Sequence, residues 1–241
     1  NEATGITVSG ANFTAVFSKL KGTLESYTLN GKQLINEPLE LNVFRLPTDN
    51  DKAQTGSWDA SGIRKLSVMS GEWTVEQSAD VVDLSIENIY VAKGTNRFTT
   101  QVMFKILKDG AIFVNSVIDP AIKEAILPRI GFRLSMPEDF EKLSWFGRGP
   151  WDSFVDRKES CFESVYNSTV SDQWVNYVLP QETGNKEEVR WMSIRDNSGT
   201  GLLFVAPHKM AASATHFKPE ELYINRDNRK KHPYEVTFNS N

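Results

Sequence analysis

Apolar and polar residues alternate with a period of two in residues 23–29, 73–77, 81–89, 99–107 and 111–118, and each stretch is bounded by Gly, Asn, Asp or Pro. That period sends successive side chains to opposite faces of an extended backbone, so these stretches read as strands with one face toward a core. Asn30-Gly31, between Tyr27-Thr28-Leu29 and Lys32-Gln33-Leu34-Ile35, reads as a two-residue hairpin turn, because both central positions of a type I′ turn need positive φ. Lys108-Asp109-Gly110 and Asn197-Ser198-Gly199 punctuate further strand pairs. Helical periodicity is scarce: residues 56–66 have room for one turn or two, and residues 219–222 open a short helix after Lys218. No repeat, low-complexity stretch or Gly/Ser linker divides the chain. The expected fold is all-β: one large antiparallel β-sandwich with long loops, a single domain over residues 1–241.

Hydrophobic residues at 39% and charged residues at 24% fit a soluble globular protein. A net charge of −4 without a basic block gives no footprint for nucleic acid or an anionic membrane, and Arg229-Lys230-Lys231 reads as a solvated face. No apolar stretch is long enough to span a bilayer, and Asn1-Glu2-Ala3-Thr4-Gly5 lacks the regions of a secretion signal, which would have to lie upstream. Cys161 is the only cysteine, which excludes an intrachain disulfide and a Cys-rich metal site. With no His near it in sequence, a small buried hydrophobe is the favoured reading over a nucleophile. The sequence leaves the compartment open.

Three polar, irregular segments stand out, residues 45–58, 147–158 and 180–190, and five of the six tryptophans flank or occupy them. Loops on a rigid sandwich are where binding residues usually sit. Asp49-Asn50-Asp51 follows Arg45-Leu46-Pro47-Thr48; a Ca²⁺ loop would need further oxygen ligands and a following Gly, which Lys52-Ala53-Gln54 do not supply. Two readings stand: a loop tied by Asx-turns and an Arg45 ion pair, or an acceptor for sugar hydroxyls. Trp145-Phe146-Gly147-Arg148-Gly149-Pro150, running on to Asp156-Arg157-Lys158, and Tyr177 with Pro180-Gln181-Glu182-Thr183-Gly184-Asn185, running on to Arg190-Trp191, combine aromatic rings, Arg forks, amides and carboxylates. Such groups suit a polyhydroxylated ligand or a polar seam between domains, and each Trp taken singly reads equally as a core-edge packing residue. Glycoside hydrolysis needs two carboxyl groups roughly 5 to 9.5 Å apart. Spacing in sequence unites no pair among Asp49, Asp51, Asp152, Asp156, Glu182, Glu187 and Glu188, so no catalytic residue is assigned. His208, His216 and His232 are too scattered to suggest a metal site.

Phe44-Arg45-Leu46-Pro47-Thr48-Asp49-Asn50-Asp51, the Trp145 to Arg157 tract and the Pro-Gln-Glu-x-Gly-Asn core before Trp191 together resemble, in order and separation, the C-terminal small chain of bacterial β-galactosidases of glycoside hydrolase family 2. The resemblance implies a galactose-mutarotase-like supersandwich following a (β/α)₈ barrel that carries both catalytic Glu residues. It implies a fragment inactive alone, partnered by the enzyme's other domains and a galactoside, in a bacterial cytoplasm or periplasm, within a full-length enzyme expected as a homo-oligomer. No cofactor is expected in this part; Mg and Na, where relatives use them, would be bound mainly by other domains. The loop of Asp49, Asn50 and Asp51 would approach the barrel's active-site mouth. Arg45, Trp145, Arg148, Asp156, Arg157, Gln181, Glu182, Asn185, Arg190 and Trp191 would be carbohydrate contacts or seam residues. Asp152 and Phe154 stand where the family usually has Glu and Tyr. The family also continues for a few strands beyond the His232-Pro233-Tyr234 segment, so the resemblance implies a sandwich lacking its last strands, with an open edge near Thr237-Phe238. A free-standing carbohydrate-binding module and an aldose mutarotase, which would need a His and a Glu converging on a ring oxygen, are the alternative readings.

Overall fold

A computed structural model describes residues 5–123, 125–178 and 180–223. Its first strands are β1 (Gly5–Ser9), β2 (Phe13–Ser18), β3 (Thr23–Leu29), β4 (Lys32–Ile35) and β5 (Glu37–Asn42). After helix α1 (Thr55–Ser61) come β6 (Ser67–Ser70), β7 (Thr74–Gln77), β8 (Val81–Ala92), β9 (Thr95–Leu107), β10 (Ile112–Pro120) and β11 (Gly131–Ser135). The remaining elements are β12 (Lys142–Gly149), β13 (Phe162–Thr169), β14 (Lys186–Arg195), β15 (Gly201–Ala212) and helix α2 (Pro219–Leu222). Every strand pairing among the described residues is antiparallel, so the fold is all-β, as the alternation predicts.

Contacts group the chain into two compact units, Asn1–Phe44 with Ala53–Pro137, and Arg45–Lys52 with Glu138–Asn241. In the first, β1-β2-β3-β4 form one sheet, β10-β9-β8-β6 another with β7 also on β8, and β11-β5 a pair. Strand β9 shows why the pattern works. Phe98, Thr100, Val102, Phe104 and Ile106 are at most 2% exposed, while Gln101 and Lys105 between them face solvent. Each such large apolar side chain contributes about 1.5–3 kcal/mol of burial. Phe104 meets Phe17 of β2 edge-on at 5.1 Å between ring centres, which closes the two larger sheets on each other. The hairpin between β3 and β4 has Asn30 at φ 50° and Gly31 at φ 80°, the two left-handed positions its turn type demands.

The second unit is a four-stranded sheet in the order β13-β12-β14-β15. Leu143, Trp145, Val170, Val189, Met192 and Ala214 form its buried core, with Trp145 aligned to Tyr166 on one side and Met192 on the other.

Two of the segments expected to be loops are partly strand: residues 147–149 close β12 and residues 186–190 open β14. The pairing of β14 shifts register on both sides of Val189, and Glu188 sits at φ 57°. A bulge of this kind removes the alternation that would have marked the strand. Arg229-Lys230-Lys231, His232 and the expected edge at Thr237-Phe238 lie outside the described residues. No helix among the described residues is long and apolar enough to cross a membrane.

Candidate functional site

Residues 45–52 of the first polar tract meet the other two tracts, more than a hundred residues away in sequence at the extremes, within the second unit. The segment Arg45–Lys52 ends in a single 3-10 turn, Asp49–Asp51. Asp51 folds back to accept the Thr48 backbone N–H at 2.8 Å and the Thr48 hydroxyl at 3.0 Å, and the Arg45 guanidinium lies 3.0 Å from the same carboxylate. The Leu46 N–H donates to Glu182 at 3.1 Å, 136 residues away, and Glu182 is 5% exposed. The Asn50 amide donates to Asp156 at 2.9 Å.

The segment after the cis Gly149-Pro150 bond is braced in turn. Asp152 accepts from Arg157 at 3.0 Å and from the Tyr177 hydroxyl at 2.8 Å. Burial raises the Tyr177 phenol above its ordinary range against the pull of Arg157. The Phe154 ring faces two guanidinium groups, Arg157 at 5.3 Å and Arg45 at 5.9 Å. Such contacts contribute about 0.5–1 kcal/mol each at exposed sites. Asn185, 4% exposed, donates to the Ser153 carbonyl at 2.7 Å and accepts the Ser153 N–H on its own carbonyl at 2.8 Å.

On the bulge, Glu188 gathers three cations: Lys158 at 2.8 Å, Arg148 at 2.8 Å and Lys209 at 3.3 Å. The Lys158 and Arg148 hydrogen bonds hold its carboxyl well below the usual carboxylate range. The side chain two positions earlier is the opposite case. Lys186 is 2% exposed, its ammonium lies 5.0 Å from the centre of the Trp145 ring, and burial pushes its pKa down to about 8 despite the attraction of Asp152.

Of the other residues singled out from the sequence, Trp145 is 1% exposed, stacked on Tyr166 at 5.2 Å with its indole N–H on the Arg148 carbonyl, so it packs the core rather than offering a face. Cys161 is likewise buried at 1%, as a small hydrophobe would be. Arg190 is exposed and lies over Phe146 at 5.2 Å. Trp191 and Gln181 are half-buried. Asp49 stands outward, its side chain 74% exposed beside Lys52. His216 contacts both Glu141 at 2.9 Å and Ser171 at 3.2 Å, but through the same Nε2 atom. A relay between an acid and a nucleophile needs opposite ring nitrogens, so this trio is not a hydrolytic triad. Sequence reasoning missed Lys186, Ser153 and Lys209 as members of the cluster; the position of Lys186 directly after Gly184-Asn185 was the one available signal. Among the described residues no three His, Cys, Asp or Glu side chains gather as metal ligands.

The family described as β-galactosidase small chain matches residues 9–240. This chain belongs to that family. Relatives include the β-galactosidases of Priestia megaterium, 31% identical over 92% of this chain, and of Actinobacillus pleuropneumoniae, 28% identical over 96%. The β-galactosidase of Halalkalibacterium halodurans is 31% identical over 82% of the chain. The match spans only 21%, 22% and 20% of those relatives, so the small chain is about a fifth of the curated relatives it resembles.

Proposed function

We propose that this small chain is the non-catalytic sandwich of a β-galactosidase that hydrolyses terminal β-D-galactosides with retention. The chemistry resides in a (β/α)₈ barrel elsewhere in the polypeptide, and the small chain supplies the Asp49-Asn50-Asp51 turn at the mouth of that site together with inter-domain contacts. The observation that carries this reading is how the clustered carboxylates are employed. An acid catalyst needs a carboxyl kept protonated by apolar surroundings. Asp51 and Asp152 instead face guanidinium groups, Asp156 an amide donor, Glu182 a backbone N–H, and Glu188 three cations. Each of these carboxylates is engaged in a contact that holds the local structure, and around Glu188 the Lys158 and Arg148 hydrogen bonds favour the charged form, which suits a scaffold that holds a loop in place. The aldose mutarotase alternative fits less well, because the His216 and Glu141 pair satisfy each other.

The test is hydrolysis of a nitrophenyl β-galactoside by the isolated chain and by the full-length polypeptide that contains it. Turnover is expected from the full-length protein alone. Turnover by the isolated chain overturns the reading, and saturable galactose binding by the isolated chain without turnover would favour a carbohydrate-binding module.

A further inference from the structure

The side chains of the Asp49–Asp51 turn divide between holding and presenting. Asp51 is spent inside the loop, on Arg45 and on Thr48. Those bonds shape the loop but move with it. The contacts that tie the loop to the rest of its unit include the Leu46 N–H to Glu182 and Arg45 over the Phe154 ring at the stem, and the Asn50 amide to Asp156 at the tip. Asp49 is left pointing outward, with Lys52 at 2.9 Å as an exposed partner, a kind of pair that contributes little and yields readily to a better donor.

We propose that Asp156 is a positioning residue. Through Asn50 it fixes the orientation of the turn, so that the Asp49 carboxylate is the group presented to a hydroxyl of the bound galactoside. The stem contacts set where the loop leaves the sheet unit but lie four or more residues from Asn50 in sequence, whereas the Asn50–Asp156 bond acts on the turn itself. Because both partners are exposed, the bond contributes little to folding. Its effect is on how often the turn is in the binding-competent orientation, and a reduced competent fraction weakens apparent affinity in proportion. This inference rests on the proposed placement of the turn at an active-site mouth.

The experiment is steady-state kinetics on a nitrophenyl β-galactoside with the full-length polypeptide. Asp156→Ala is expected to raise KM about 3- to 10-fold with kcat within about twofold, the pattern of lost ground-state positioning. The exchanged pair, Asn50→Asp with Asp156→Asn, restores one donor facing one acceptor and is expected to return KM to within about twofold of the parent. An unchanged KM in Asp156→Ala overturns the positioning role, as does a KM that stays raised in the exchanged pair. Asp49→Ala, measured alongside, separates the two levels of argument. A raised KM in Asp49→Ala with an unchanged KM in Asp156→Ala removes the positioning role alone, whereas unchanged kinetics in both removes the placement of the turn as well.

Discussion

The ammonium of Lys186 lies 5.0 Å from the centre of the Trp145 ring, inside a strand where the lysine is 2% exposed. A protonated amine there trades bulk water for an aromatic face and the attraction of Asp152, and the exchange is unfavourable enough to bring its pKa from 10.5 down to about 8. The folded state therefore binds this proton less readily than the unfolded chain does. The resulting penalty is fully present below pH 8 and is relieved as pH rises from about 8 toward 10.5. At about 1.4 kcal/mol per unit this amounts to roughly 3 kcal/mol. Lys186→Met should be more stable than the parent at pH 7 by about 1–3 kcal/mol, the gap shrinking as pH rises past 8. Urea unfolding of both proteins across pH 7 to 10 measures it; a gap that does not change with pH would mean the ammonium is well solvated.

Glu182 is the buried end of the tie to Leu46. Removing its carboxylate leaves a backbone N–H unpaired and opens a cavity, so Glu182→Ala should cost about 2–3 kcal/mol in urea unfolding. Glu182→Gln keeps an acceptor oxygen and should cost less than half as much. Equal losses in the two variants would show that charge, and not the hydrogen bond, matters at this position.

Gly147 belongs to the Trp-Phe-Gly-Arg-Gly tract for a steric reason. A Cβ added there would lie 2.9 Å from the Cα of Val189 and 3.0 Å from its Cγ2, on the neighbouring strand. Backbone on one side cannot yield as a flexible side chain can, so Gly147→Ala should destabilise the protein by about 1–3 kcal/mol. Gly31→Ala, at a turn with open space around it, should cost about 1 kcal/mol from its φ of 80° alone. A melting-temperature loss for Gly147→Ala no larger than that for Gly31→Ala would remove the close approach as the reason for the glycine.

The first unit was legible because its long strands carry a sustained alternation: β9 alternates from Phe98 to Ile106, and Asn30-Gly31 names its own turn. The second unit was hidden by the features that build the cluster. Glu188 takes a left-handed backbone, Gly147 and Gly149 replace side chains in β12, and β15 pairs through register shifts, so a period of two is broken wherever the polar residues converge. Arg45 and Asp51 could be joined on paper because six residues separate them. Asn50 with Asp156, or Leu46 with Glu182, could not, since nothing local links residues brought together by strand order alone. Lys186 escaped notice for a different reason: sequence treats a lysine as solvated, and only packing against Trp145 shows otherwise.

Glu188 combines a backbone cost with an electrostatic gain, and substitutions can separate them. Its φ of 57° is strained for any side chain with a Cβ, so Glu188→Gly should be more stable than Glu188→Ala by about 1 kcal/mol although both lose the carboxylate. Both should be less stable than the parent, because Arg148, only 17% exposed, and Lys158 lose their shared anion. The folded carboxyl titrates below its unfolded value, so its contribution is present above about pH 4.5 and fades as pH falls through that value toward the folded one. The melting-temperature gap between the parent and Glu188→Gln should accordingly hold steady from pH 7 to about 5 and narrow below that. Added salt at pH 7 should shrink the same gap only in part, because half-buried pairs are screened less than exposed ones. A gap that disappears entirely in salt, or that widens in acid, would assign the stabilisation to something other than this group of charges.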